Sequence, residues 1–336
     1  MKTLINILFS FTLLFLLSCE KKEEVTYEPN FAPPSNFPAI KYPEDNAYNY
    51  SRWKLGKKLF YENALSRNQT INCGSCHQTK FAMADNQALS LGVDGAVGFR
   101  NAPTLTNVAY QPYYNFDGGN QTLEMQVLVP IQEHVEFDFN IIEIAKRLAN
   151  NSTYQNMSKE AYNRELDYYV ITRALANFER TLISGNSKYD KYTREETSLT
   201  AEELRGLNLF TSTKTNCNTC HAGFNFTSYA FENNGLSKEY SDEGRARVTK
   251  LDTDKARFKV PTLRNIEKTA PYMHDGSKAT LYDVVSHYNS GGNNHVNKNN
   301  LIVPLGLTQD EMNDLIAFLK TLSDESFISN PLFKNN

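Results

Sequence analysis

A mainly α-helical fold made of two similar domains is what this sequence predicts, and three observations predict it. First, blocks of residues return at a constant offset. Pro103-Thr104-Leu105-x-Asn107 reappears as Pro261-Thr262-Leu263-x-Asn265. Tyr114, Asp117-Gly118 and Thr122-Leu123 reappear as Tyr272, Asp275-Gly276 and Thr280-Leu281, and the shift is 158 residues throughout. Repetition at a fixed period marks a duplicated unit. Second, residues Ile141–Leu148, 166–181 and 308–322 space their apolar side chains as one face of a helix does. Third, no alternating strand series appears, and residues 86–101, 229–255 and 289–300 are Gly/Asn/Asp-rich and read as long loops.

Taken in order, the chain begins with an export segment, residues 1–19. Lys2 is a short positive start, and residues 4–17 form an apolar run short for a membrane span. The run ends in Leu16-Leu17-Ser18-Cys19, which resembles a bacterial lipoprotein signal, cut before a Cys that then carries lipid. An ordinary cleaved secretory signal is the alternative, and either exports the chain to the periplasm or cell envelope. Diacylation of Cys19 would give lasting membrane attachment, because one acyl chain binds only marginally. Residues 20–47 carry Glu20-Lys21-Lys22-Glu23-Glu24, Pro33-Pro34 and Pro38 and read as a tether without a core. A net charge of −3 without a basic stripe gives no sign of nucleic acid as a partner.

The first domain is expected over 48–195 and the second over 196–336. Each opens with a helical segment carrying the same marks, Gly56-x-x-Leu59-Phe60 and Gly206-x-x-Leu209-Phe210. The second starts at Thr200-Ala-Glu-Glu203, and the last helix at Thr308-x-x-Glu311, both capping boxes. Met312, Leu315, Ile316 and Leu319 then mark one face of that last helix.

Each opening helix precedes a Cys-x-x-Cys-His motif: Cys73, Cys76 and His77, then Cys217, Cys220 and His221. This is the attachment pattern of a c-type haem, with two thioether links and a proximal imidazole on the iron. Zinc or disulfide pairing is the alternative, but zinc would use the Cys pairs together and needs no His after each. Of five Cys, four lie in the motifs, and the fifth is Cys19. Two covalent haem c groups are therefore expected, with long loops wrapped around them.

The exported body resembles the bacterial di-haem cytochrome c peroxidase and MauG family, from about Trp53 to the last helix. The residues that carry the resemblance are Leu59-Phe60-Tyr-Glu-Asn-Ala-Leu65-Ser66, Arg100-Asn101-Ala102-Pro103-Thr104, Asp117-Gly118 with Leu123-Glu124-x-Gln126, and Pro271-Tyr272-Met273-His274-Asp275-Gly276. The resemblance implies that the N-terminal haem is the peroxidatic one. It implies a distal pocket of Gln126, Pro130 and Glu136, with Glu136 as the acid/base that moves a proton during O–O cleavage. By position alone Glu136 would pass as a solvated loop charge. Many family members close this haem with a loop His; here residues 91–98 contain none, and no His lies between His77 and His134. The first haem is therefore expected to be open at rest, with His134 the only nearby substitute. Phe116 stands where the family usually has an inter-haem Trp.

For the second haem, the repeat sets Tyr288 opposite Pro130, and the family's distal ligand falls on the same residue. Met273 is the rival thioether, and His287 a weaker one. The resemblance also implies a calcium ion held by Asn101 and the carbonyls of Thr269 and Pro271, hard oxygen ligands that suit it. The activity implied is reduction of hydrogen peroxide to water, with electrons from a small cytochrome c or a cupredoxin. A MauG-like oxidase acting on a protein or small molecule is the alternative, and a plain di-haem electron carrier is a third. Homodimers are common in the family.

Overall fold

The computed structural model describes residues 28–29 and 31–335. The export signal, Cys19 and the first part of the tether lie outside the described residues. From Phe31 onward the chain belongs to one compact unit. The tether expectation needs correction here. Phe31 packs on Tyr48, Trp53 and Phe333, and Phe37 packs on Tyr110 and Phe224. Three aromatic side chains in residues 31–47 give this segment an apolar anchor that its prolines and charges do not announce.

The first half holds α1 (Tyr50–Phe60), α2 (Cys73–Cys76), α3 (Leu123–Gln126), α4 (Leu128–Gln132), α5 (Ile141–Leu148), α6 (Ser152–Tyr162), α7 (Tyr168–Glu179) and α8 (Lys188–Thr193). The second holds α9 (Ala201–Thr211), α10 (Cys217–Cys220), α11 (Ala246–Thr249), α12 (Leu281–Ser290), α13 (Gln309–Lys320) and α14 (Glu325–Ile328). Among the described residues the only sheet is a pair of two-residue antiparallel strands, β1 (Phe231–Glu232) and β2 (Phe258–Lys259). The helices expected at Ile141–Leu148, 166–181 and 308–322 form α5, α7 and α13. The capping boxes at Thr200/Glu203 and Thr308/Glu311 both close, each supplying hydrogen bonds to N–H groups left free at a helix start.

Each half is organised around one helix pair. α1 packs on α7, burying Leu55, Leu59 and Phe60 against Ile171, Ala174 and Phe178. α9 packs on α13, burying Phe210 against Leu315 and Phe318. Full burial of each such side chain is worth roughly 1.5–3 kcal/mol. The glycine shared by α1 and α9 explains the closeness. A Cβ on Gly56 would lie 1.9 Å from the Ala174 carbonyl oxygen, and one on Gly206 would lie 1.9 Å from that of Asp314.

The loops repeat as closely. Asn107 and Asn265 both sit in the left-handed region, at φ 57° and 60°. Their backbone N–H groups donate to Leu182 and Leu322, at 2.8 and 3.0 Å. Their side-chain oxygens accept from the N–H of Ser184 and Asp324. These matched pairs are compatible with an internal duplication. The halves also interlock: Asn107 Nδ2 donates to Asn225, and Asn265 Nδ2 donates to Ser184. Arg264 pairs with Asp190 through two bonds of 2.8 and 2.9 Å, both side chains being 2% exposed.

Candidate functional site

The two Cys-x-x-Cys segments form the single-turn helices α2 and α10, each ending at its His. This turn sets both sulfurs and the imidazole about one short stretch of chain. All four thiols are free rather than paired in disulfides. His77 Nδ1 lies 2.9 Å from the Met83 carbonyl oxygen, and His221 Nδ1 lies 3.2 Å from that of Phe226. A carbonyl can only accept, so Nδ1 carries the proton and Nε2 keeps its lone pair for a metal. Burial also pushes both imidazoles toward the neutral form, against the pull of those carbonyls. Among the described residues no group of three or more His, Cys, Asp or Glu could hold a metal ion. One imidazole beside two free thiols suits a covalent porphyrin, which brings its own four nitrogen ligands.

The three residues expected in the distal pocket lie on one folded-back stretch of chain. α3 and α4 would be one helix, but Pro130 has no N–H to give to the carbonyl four residues back, and the helix breaks near Val127. The chain then folds back: the Phe137 N–H donates to the Pro130 carbonyl, and the Glu136 N–H to that of Glu133. The His-free loop seals this turn from the other side. The Val93 N–H donates to the Glu136 carbonyl at 2.8 Å. A Cβ on Gly92 would come within 2.1 Å of the Val135 carbonyl oxygen. Gln126 is oriented at both ends, donating to Asn115 Oδ1 at 2.7 Å and accepting from Asn120 at 3.0 Å.

Glu136 is solvent-accessible in the polypeptide, yet desolvation by surrounding protein, with the Glu133 charge beside it, pushes its carboxyl up to about 7. Its charge also bears on the sulfurs of both Cys73 and Cys76. In the haem-loaded protein those sulfurs are thioethers, so this coupling serves to locate Glu136 beside the attachment site. His134 is no distal ligand: its side chain is 89% exposed and its Nδ1 is bound to Asp138.

At the second motif, Tyr288 and Met273 stand side by side. The Asn234 amide donates to the Tyr288 phenol oxygen at 3.4 Å and to the Met273 sulfur at 3.3 Å. Tyr288 lies within electrostatic reach of Cys217 and Cys220. His287 is engaged elsewhere, its Nε2 donating to the Asn234 carbonyl at 3.0 Å. Phe116 lies at the seam of the halves, its carbonyl accepting from the Lys259 N–H at 2.7 Å. Asn101 is held by the loop that follows the first motif. Its Nδ2 donates to the carbonyls of Gln87 and Ala88, which turns Oδ1 the other way, free to meet a cation.

Three polar groups near these sites escaped the sequence reading. Glu179, 8% exposed at the end of α7, lies within electrostatic reach of Cys73, and burial pushes its carboxyl up to about 8 despite Arg180. A charge ending the apolar run of α7 was the available signal. Lys259 is as buried, its amine donating to the Tyr113 carbonyl and to Gln111. Burial pushes that amine down to about 7, with Asp117 opposing. Asn234 carried no signal at all, being one Asn in an Asn-rich loop. A cross-seam ion cluster surrounds Asp117: Arg100 binds it at 2.9 Å and grips Asp242 through two bonds of 2.6 and 2.8 Å.

Two Cys-x-x-Cys-His turns, each with a buried imidazole whose Nδ1 faces a backbone carbonyl, fit a protein that carries two c-type haems. Comparison with known proteins gives the family. Residues 50–198 match the family model described as di-haem cytochrome c peroxidase, and residues 203–323 match cytochrome c. The methylamine utilization protein MauG of Methylorubrum extorquens is 32% identical over 85% of this chain and 82% of its own. Cytochrome c551 peroxidase of Nitrosomonas europaea is 35% identical over 81% of this chain and 80% of its own. A crystal structure titled as a MauG-like protein associated with microbial copper homeostasis superposes with a TM-score of 0.87. It is 32% identical and covers 91% of this chain and 98% of its own. This chain belongs to the di-haem cytochrome c peroxidase and MauG family. It is an oxidoreductase whose cofactors are two c-type haems.

Proposed function

We propose that the protein reduces hydrogen peroxide to water at the haem attached to Cys73 and Cys76, using electrons that enter at the haem attached to Cys217 and Cys220. The observation that carries this reading is the place of Glu136, whose charge is felt at both Cys73 and Cys76 and whose carboxyl desolvation raises to about 7. When bound, the haems supply the two electrons that break the O–O bond.

The chain's residues supply everything else. His77 would hold the first iron through Nε2, fixed by its bond to Met83. Pro130 offers no ligating atom, so the side chain at this position would leave room for peroxide. Glu136 would take a proton from one peroxide oxygen and return it to the other, which leaves as water; the remaining oxygen becomes the second water on taking up two protons from solvent, and the donor's two electrons replace those the haems gave. A group with pKa near the working pH does both halves of that transfer well. Gln126, held by Asn115 and Asn120, offers an amide to orient the bound oxygen. His221 would hold the second iron and Tyr288 would cap it. Asn101, Thr269 and Pro271 supply oxygen ligands for a calcium ion between the halves. The domain split at 195/196, anchoring through Cys19 in the periplasm or cell envelope, and homodimer formation belong to the same reading. No helix among the described residues is long and apolar enough to cross a membrane.

A second reading rests on Tyr288. A phenolate is a hard, anionic donor that favours higher iron oxidation states and lowers the potential. That suits a MauG-like oxidase, in which peroxide serves to oxidise a protein or small molecule. Adding peroxide to the purified protein, with and without a reduced cytochrome c or cupredoxin, decides between them. Steady oxidation of the donor supports the peroxidase. A long-lived oxidised form indifferent to the donor supports the oxidase, and no reaction leaves only a carrier.

A further inference from the structure

The second pocket presents two possible iron ligands, not one, and a single side chain touches both. Asn234 Nδ2 lies 3.4 Å from the Tyr288 phenol oxygen and 3.3 Å from the Met273 sulfur. An amide nitrogen has two hydrogens, so it can serve both at once. Its orientation is not arbitrary. Asn234 Oδ1 accepts from the Leu236 N–H, which fixes the oxygen on the far side and turns the nitrogen toward the ligands. The backbone is clamped as well. The Asn234 carbonyl accepts from His287, the Gly235 N–H donates to fully buried Asn233, and the Gly235 carbonyl accepts from Asn293.

Met273 is itself held unusually. It has φ 75°, in the left-handed region that long side chains rarely occupy. At the same repeat position the first half has Asn115, φ 62°, a residue type that tolerates this conformation. A thioether is thus kept beside a phenol at some cost in backbone energy, and both meet one amide.

From this arrangement we infer that Asn234 is the positioning residue that decides which of Tyr288 and Met273 ligates the second iron. With its N–H donors in place, Asn234 steadies the oxygen of an anionic phenolate and occupies the sulfur's lone pair, so the pocket selects Tyr288. Without the donors, the sulfur is released and the phenolate loses its support, and Met273 takes the position. The inference rests on the reading of Tyr288 as the cap of the second haem.

The test uses the full di-haem protein in its ferric state. Asn234→Asp keeps the oxygen that Leu236 requires and removes both donors; Asn234→Ala is the second variant. Wild type should lack the near-infrared band of thioether-ligated ferric haem. Asn234→Asp should gain it, with an upward shift of the second haem's potential, while the first haem's spectrum stays unchanged and certifies the fold. Adding Met273→Leu to Asn234→Asp should abolish the new band. If Tyr288→Phe changes the second haem's spectrum but both Asn234 variants keep the wild-type spectrum and potential, the inference is overturned and the cap reading survives. If Tyr288→Phe changes nothing, the cap reading fails and takes the inference with it.

Discussion

The two haem pockets are built on one plan and differ where chemistry enters. In the first half, residues 123–132 are broken into α3 and α4 at Val127, three residues before Pro130, and the chain folds back so that the Phe137 N–H meets the Pro130 carbonyl. In the second, the corresponding residues form one unbroken helix, α12, because Tyr288 replaces the proline and restores the N–H. At the 158-residue offset Gln126 becomes Val284 and Glu136 becomes Asn294. The same comparison turns Asn115, which orients Gln126, into Met273. The first half therefore has an amide and a carboxyl where the second has Val284 and Asn294, and a proline where the second has a phenol. The second loses the acid/base groups and gains two candidate ligands. An enzyme that needs one reactive metal and one electron reservoir is served by this asymmetry.

The largest effect should come from removing the first pocket's acid. Glu136→Gln keeps the shape and loses the proton shuttle, and should lower kcat/KM for peroxide by about 10²–10⁴-fold. Steady-state assay with a reduced donor measures it; a loss under tenfold would erase the distinction drawn between the pockets. Next, Arg264→Met removes an ion pair between the halves that has no counterpart at the repeat position, where the first half carries Thr106. Leaving Asp190 buried without its partner should cost about 3–5 kcal/mol. Chemical denaturation of the holoprotein reports it.

A subtler effect is the pH dependence of turnover. The Glu136 carboxyl is raised to about 7, so it is neutral below that pH and anionic above it. As the base that first accepts the peroxide proton, it must begin as the anion. kcat/KM should therefore rise with pH through about 7 and level off above, and Glu136→Gln should flatten that limb. Smallest of all, Phe116→Trp should speed electron exchange between the haems with little change in peroxide affinity, measured by the rate at which the two haems equilibrate after partial reduction.

Much of this asymmetry was legible in the sequence. The offset of 158 residues, the two Cys-x-x-Cys-His motifs and the Gln126–Pro130–Glu136 spacing are local patterns, and short patterns survive in one dimension. The helices α5, α7 and α13 announced themselves by apolar spacing and caps for the same reason. What escaped depends on contacts across the fold. Phe31 and Phe37 belong to the core only because Trp53, Phe333 and Phe224 come from elsewhere to meet them. Asn234 acquires a role only when a loop brings it to Met273 and Tyr288, 39 and 54 residues away. Lys259 becomes a buried amine only because Gln111 and Tyr113 reach it from the other half.

The two irons are expected to stand in unlike pockets, one open and one capped. Electron paramagnetic resonance of the resting ferric protein tests it most directly. One high-spin signal, from an iron with an open face, and one low-spin signal that changes in Tyr288→Phe are predicted. Two low-spin signals, or a Tyr288→Phe spectrum identical to wild type, would contradict it.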